Sequence, residues 1–160
     1  MNARAALRRV SACALALAWA GAAAAQTFPV DDGASQVLSA GIVPMRWDAP
    51  VPGPGRGNGI IGDVVVRVVL QVAPWRGRRA RIWQTLAPNP SGRITATWTA
   101  DGPLSAGVLR DGERALVYAG PIEADRLTDT FRITLQADGD RSVRPQSLEF
   151  AFEIEPESAP

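Results

Sequence analysis

Val64-Val65-Val66-Arg67-Val68-Val69-Leu70-Gln71-Val72 is the stretch that decides the fold class of this chain. Its even positions are Val64, Val66, Val68, Leu70 and Val72, while Arg67 and Gln71 fall on the other face. Period-two alternation describes an extended strand with one buried and one wet face. The same reading recurs downstream, where Phe131, Ile133 and Leu135 alternate with Thr130, Arg132, Thr134 and Gln136. It appears again where Leu148, Phe150, Phe152 and Ile154 alternate with Glu149, Ala151 and Glu153. Ile94, Ala96 and Trp98 alternate with Arg93, Thr95, Thr97 and Thr99 in a shorter run.

Two further strands bracket Asp111-Gly112, where glycine accepts the positive φ of a two-residue primed hairpin turn. That register sets Arg110 opposite Glu113 and Val108 opposite Ala115. Ala80 to Leu86 completes a set of seven strands, and Val37 to Met45 offers an eighth. No window carries a convincing helical stripe, although Glu123 to Leu127 has room for one turn. Parallel sheets need crossover helices. The expected fold is therefore all-β: an antiparallel two-sheet sandwich, immunoglobulin-like, of about seven strands. The faces just named supply its core, led by Val66, Val68, Leu70, Ile82, Ile94, Trp98, Val117, Phe131, Ile133, Leu135, Leu148, Phe150, Phe152 and Ile154.

Upstream of the strands the chain reads as an address. Arg4, Arg8 and Arg9 form a basic region, Val10 to Ala20 is apolar and uncharged, and Ala23-Ala24-Ala25 offers the small residues of a cleavage site. Residues 1–25 are expected to be a signal peptide, 26–59 an N-terminal segment with a Pro/Gly-rich connector, and 60–156 the β-sandwich domain. Cleavage after Ala25 leaves 135 residues, 160 less 25. The expected location is the periplasm or the cell exterior of a Gram-negative type envelope.

Composition excludes several chemistries. The only cysteine, Cys13, lies within the signal, and the chain has no histidine. The mature protein thus offers no disulfide, no Cys or His metal ligand, no Cys nucleophile and no Ser-His-Asp relay. All 17 basic residues are arginine, so no lysine amine is present for Schiff-base chemistry. With three arginines removed in the signal, 14 face 16 acidic residues, a formal charge of −2. Such a balance gives no general attraction to nucleic acid or an anionic membrane. After the signal no apolar run is long enough for a stable membrane span.

Motifs add little catalytic promise. Gly57, Gly59 and Gly62 are spaced as G-x-G-x-x-G, but a dinucleotide loop must follow a strand and open a helix. Here the glycines precede a strand. Asp101, Asp111, Asp125, Asp129, Asp138 and Asp140 mostly sit beside glycine or in turns, where aspartate caps its own backbone. Asp138-Gly139-Asp140 lacks the further ligands of a calcium loop. No enzyme activity and no cofactor are expected.

The candidate binding cluster is Trp75, Arg76, Arg78, Arg79, Arg81 and Trp83. Guanidinium offers a planar donor fork and indole a flat apolar face, a combination suited to a glycan or an acidic partner. The competing reading is a solvated turn whose arginines meet the acidic C-terminal residues Glu149, Glu153, Glu155 and Glu157.

The ordered runs WRGRRARIWQTLAP (75–88), TATWTADGPLSAGVLRDGERALVYAGPI (95–122) and SLEFAFEIE (147–155) resemble small subunits of bacterial fimbriae assembled by the chaperone and usher route. The resemblance covers the layout of residues 60 to 155 and carries no site residues across. It implies an immunoglobulin-like pilin domain that works with other protein subunits or a periplasmic chaperone. The chain departs from it in having no mature disulfide and in ending Glu-Pro-Glu-Ser-Ala-Pro.

Overall fold

The computed structural model describes residues 26–39, 42–49, 58–89, 93–139 and 148–157. The predicted signal peptide and residues 50–57 of the connector lie outside them. Among the described residues ten strands are present: β1 (Phe28–Val30), β2 (Gln36–Val37), β3 (Arg46–Trp47), β4 (Gly59–Gln71), β5 (Arg79–Leu86), β6 (Ile94–Ala100), β7 (Gly107–Arg110), β8 (Arg114–Pro121), β9 (Arg126–Asp138) and β10 (Phe150–Pro156). They form two antiparallel sheets. Sheet I has the order β1-β10-β5-β8; sheet II has the order β2-β4-β9-β6-β7, with β3 also on β4.

All seven strands read from the periodicity exist, and the chain is an all-β sandwich. Lettered A to G in chain order, β4 to β10 keep the B–E and C–F neighbours of an immunoglobulin constant domain. They differ at the ends, with the first strand beside the sixth and the last beside the second. The longest ladder joins β4 to β9 over 13 residues, from Gly59↔Asp138 to Gln71↔Arg126. Its inward positions Val64, Val68, Leu70, Phe131, Ile133 and Leu135 are buried against Ile82, Phe152 and Ile154 of sheet I. Val66, Leu148 and Phe150 pack on this core while partly exposed. Trp98 stacks on Phe131 with ring centroids 5.8 Å apart, and its indole N–H donates to the Ser105 carbonyl at 3.0 Å. Gly107 lies over the same ring; a Cβ there would sit 2.7 Å from Trp98 Cζ2.

The hairpin expected at Asp111-Gly112 is not formed. β7 pairs with β6 in sheet II and β8 with β5 in sheet I, so the turn carries the chain from one sheet to the other. Only Gly112 has a positive φ, +77°, and Glu113 N–H donates to the Arg110 carbonyl at 3.0 Å. That is the pattern of a type II turn, which splays the flanking strands where a primed turn would twist them together. Arg110 and Glu113 still meet, at 3.8 Å. The Val108–Ala115 pair is replaced by Val108↔Thr97 and Ala115↔Gln84.

Residues Glu123 to Leu127 form no helical turn, since Arg126 and Leu127 already belong to β9. The only helical element among the described residues is a 3-10 turn, Ala73–Trp75. No helix there is long and apolar enough to cross a membrane.

Candidate functional site

The Trp75 to Trp83 segment divides at Gly77. Trp75 ends the 3-10 turn at one end of the sandwich, 6.3 Å from the Phe28 ring. Arg76 has φ −54° and ψ 138°, Gly77 has φ +78°, and Arg78 N–H donates to the Trp75 carbonyl at 3.1 Å. This second type II turn leads into β5. Within β5 the even residues Ala80, Ile82, Gln84 and Leu86 are buried, so Arg79, Arg81 and Trp83 lie on the outer face of sheet I. The structure thus brings Arg79, Arg81 and Trp83 together and leaves Trp75, Arg76 and Arg78 at the strand's approach.

Most of these cations already have carboxylate partners. Arg76 meets Asp125 at 3.2 Å, and Arg79 and Arg81 meet Glu157 at 3.2 and 4.0 Å. Arg114 stacks over the Trp83 ring, 4.4 Å from its centroid, and reaches Glu155 at 2.7 Å. Burial pushes the Glu155 carboxyl up, but hydrogen bonding to Arg114, the nearby Trp83 indole, the Arg114 charge and the Thr27 hydroxyl outweigh it and hold it below its ordinary range. The Trp83 N–H is buried and faces that carboxylate outside ordinary hydrogen-bond geometry. Glu155 and Glu157 are thus the acidic counterparts within the chain. The indole face of Trp83 that a sugar would need is covered by Arg114.

The aspartates serve backbone and ion-pair roles. Asp129, 4 % exposed, faces inward from β9 and accepts N–H groups of Asp101 (3.0 Å), Gly102 (2.8 Å), Leu104 (2.8 Å) and Thr130 (2.6 Å). Gly102 allows this close approach, since a Cβ there would lie 3.1 Å from the carboxylate. Asp111 caps the Ile94 N–H at 3.1 Å, and Asp101 meets Arg132 at 3.1 Å. Asp140 and Gly57 lie outside the described residues. Gly59 and Gly62 lie within β4, and the strand, not a helix, continues from them to Gln71. Among the described residues no group of three or more His, Cys, Asp or Glu is placed to hold a metal ion.

A second surface is the outer edge of β4. The eighth strand expected between Val37 and Met45 is instead two short contacts. Gln36 and Val37 pair with Arg67 and Val66, and Arg46 and Trp47 pair with Ile61 and Ile60. Val37 and Arg46 are nine positions apart while their partners Val66 and Ile61 are five apart, so the two pairings are not one continuous ladder. Hydroxyls fill the gaps: Val69 N–H donates to Ser35 Oγ at 2.9 Å and Val65 N–H to Ser39 Oγ at 3.3 Å. Val37, Leu38, Ile42, Met45 and Trp47 all remain exposed, Ile42 at 85 %. The sequence alternation marked Val37 and Met45; Leu38, Ile42 and Trp47 were hidden by the broken register.

No family model, curated protein or solved structure matches this chain. What the two surfaces can do therefore follows from their own chemistry.

Proposed function

We propose that this chain is an exported, non-enzymatic β-sandwich that serves as a structural or assembly subunit of a cell-envelope appendage, fimbria-like, joined to other protein subunits through the β4 edge. The observation that carries this reading is the uneven guarding of strand edges. Natural sheets blunt their edges with charge, proline or brevity. β1 has Pro29 at its centre, β7 is four residues long and ends in Arg110, and β8 runs from Arg114 to Pro121. The strap over β4 is brief where it pairs, two residues in β2 and two in β3, but over Ala34 to Val43 it has neither charge nor proline, and it exposes five large apolar side chains.

In this reading the strap of one copy takes its place on β4 of the next, main-chain hydrogen bonds giving affinity and alternate side chains giving fit. Ten residues separate Asp48 from Gly59, a reach of up to about 35 Å. The cysteine-free mature chain makes the test direct. Val37 and Val66 are opposed in the β2–β4 register, within the Cα range of a disulfide. Val37→Cys and Val66→Cys chains, one carrying a size tag, are mixed, allowed to assemble and oxidised. The expected product is a mixed disulfide-linked dimer. Sedimentation as a monomer, with a disulfide forming only in the doubly substituted chain and only within it, would remove the reading.

Recognition of a glycan or acidic partner through Trp75, Arg76, Arg78, Arg79, Arg81 and Trp83 draws less support. Arg76, Arg79 and Arg81 have carboxylate partners within the chain, and Trp83 is covered.

A further inference from the structure

The outer face of sheet II differs in kind from that of sheet I. On β6 it presents Thr95, Thr97 and Thr99, and on β9 Thr128, Thr130 and Thr134. The two strands are paired, with Thr97 directly opposite Thr134. Inward neighbours such as Ala96, Trp98, Ile133 and Leu135 are buried, so the threonines point away from the core. Thr134 donates to Asp63 at 2.8 Å. The other five hydroxyls have no hydrogen-bond partner among the described residues.

Guanidinium groups border this hydroxyl field. Arg93 lines a shallow depression of about 440 Å³ with Thr95, Gln136 and Asp138 at one end. Arg67 stands opposite Thr130 further along, and Arg126 donates to Gln71 Oε1 at 3.1 Å at the far end. None of these three arginines is ion-paired among the described residues. The face's carboxylates are engaged elsewhere, Asp63 with Arg46 and Asp101 with Arg132, while Asp138 shares the depression with Arg93. Sheet I offers the contrary: each arginine on its outer face, Arg79, Arg81 and Arg114, meets a glutamate. An anionic ligand that also needs hydroxyl partners finds both only on sheet II.

We infer that the outer face of sheet II is a binding track for an extended, carboxylate-bearing polysaccharide. Arg93 and Arg67 fork its carboxylates, and the threonine columns hydrogen-bond its hydroxyls. Eight β9 residues separate the levels of Asp138 and Thr130, about 27 Å at roughly 3.4 Å each, so the ligand must be a chain of several sugars. The inference is independent of assembly through the β4 edge.

Affinity electrophoresis of the mature protein through gels containing polygalacturonate, dextran or poly-glutamate tests it. Retardation is expected with polygalacturonate alone, because dextran lacks charge and poly-glutamate lacks hydroxyls. The double variant R67S/R93S should weaken binding by at least about tenfold. Thr97→Val and Thr99→Val, which keep shape and strand preference, should each weaken it about threefold. R79S/R81S on the opposite face should bind as the parent does. An unshifted melting temperature in each variant confirms that the fold is intact. No retardation of the parent, equal retardation by poly-glutamate (the mark of an acidic-protein site or of charge alone), or undiminished binding by R67S/R93S would overturn the inference.

Discussion

The two lateral sides of the sandwich close their strand edges in opposite ways. On the β7–β8 side the chain passes between sheets and bonds both. Asp111 N–H donates to the Ile94 carbonyl of sheet II and the Asp111 carboxylate accepts the Ile94 N–H, while Gly112 N–H donates to the Leu86 carbonyl of sheet I at 2.9 Å. Asp129 anchors the preceding loop, and Ser105 N–H donates to the Val117 carbonyl at 2.7 Å. On the β2–β3 side two short pairings, two serine hydroxyls and single backbone bonds at Leu38, Asp48 and Asp31 cover a 13-residue strand. One side is built as interior, with a buried charge satisfied by backbone donors. The other is built as a surface, held by bonds that water can replace. Local stability within one domain spans from near zero to the global value, and interaction segments come from the low end.

The largest expected effect lies on the closed side. Asp129→Ala would strand the Gly102 and Leu104 N–H groups and leave the Asp101 N–H only its 3.3 Å bond to the Thr130 carbonyl; it should lower unfolding free energy by about 2 to 5 kcal/mol, read as a fall in urea midpoint at constant slope. A loss below about 1 kcal/mol would mean that the loop is not fastened as described. On the open side, Ser35→Ala with Ser39→Ala removes three bonds to part-buried backbone, since the Ser35 hydroxyl both accepts from the Val69 N–H and donates to the Val69 carbonyl. The global loss should stay near 1 kcal/mol or less, while amide exchange at Val65 and Val69 accelerates and that at Leu109 does not. Equal protection at all three amides would erase the contrast between the sides.

The smallest effect concerns Glu155, which ties the N-terminal segment to sheet I through Thr27. Its folded carboxyl titrates below its ordinary range, so the charged form contributes stability at neutral pH. That contribution is lost as pH falls through the acid range toward the lowered folded value. Because Arg114 is nearly half exposed, Glu155→Gln should cost under about 1 kcal/mol at pH 7, and parent and variant should converge in acid. Thermal melts across pH, with a gap that widens toward acid, would reverse the sign.

Strands with a clean period of two were legible because burial on one face imposes the period. The Asp-Gly turn misled because that dipeptide suits both a primed turn and a type II turn, and only the φ of Asp111 separates them. β1 escaped notice since Phe28-Pro29-Val30 is too short to show a period, and proline is tolerated only because the strand is at an edge. Asp129 carried a readable signal: it occupies an inward position between Leu127 and Phe131, where a carboxylate must find donors. The arginine cluster and its acidic counterpart could be matched by charge alone. Which arginine meets which glutamate is set by the β5–β10 register and by a bulge at Ile82/Trp83, neither of which local sequence reveals.

The β4–β9 ladder has a further consequence, in time. Its paired residues are separated along the chain by between 55 positions (126 less 71) and 79 (138 less 59). At about 5 to 20 residues per second, β4 leaves the ribosome roughly 3 to 15 s before its partner exists. Throughout that wait this strongly apolar strand has only the two-residue strands β2 and β3 to pair with, and pairings as distant as β4–β9 form slowly even once both strands are available. The interval, more than the finished fold, is when this protein is most exposed to aggregation.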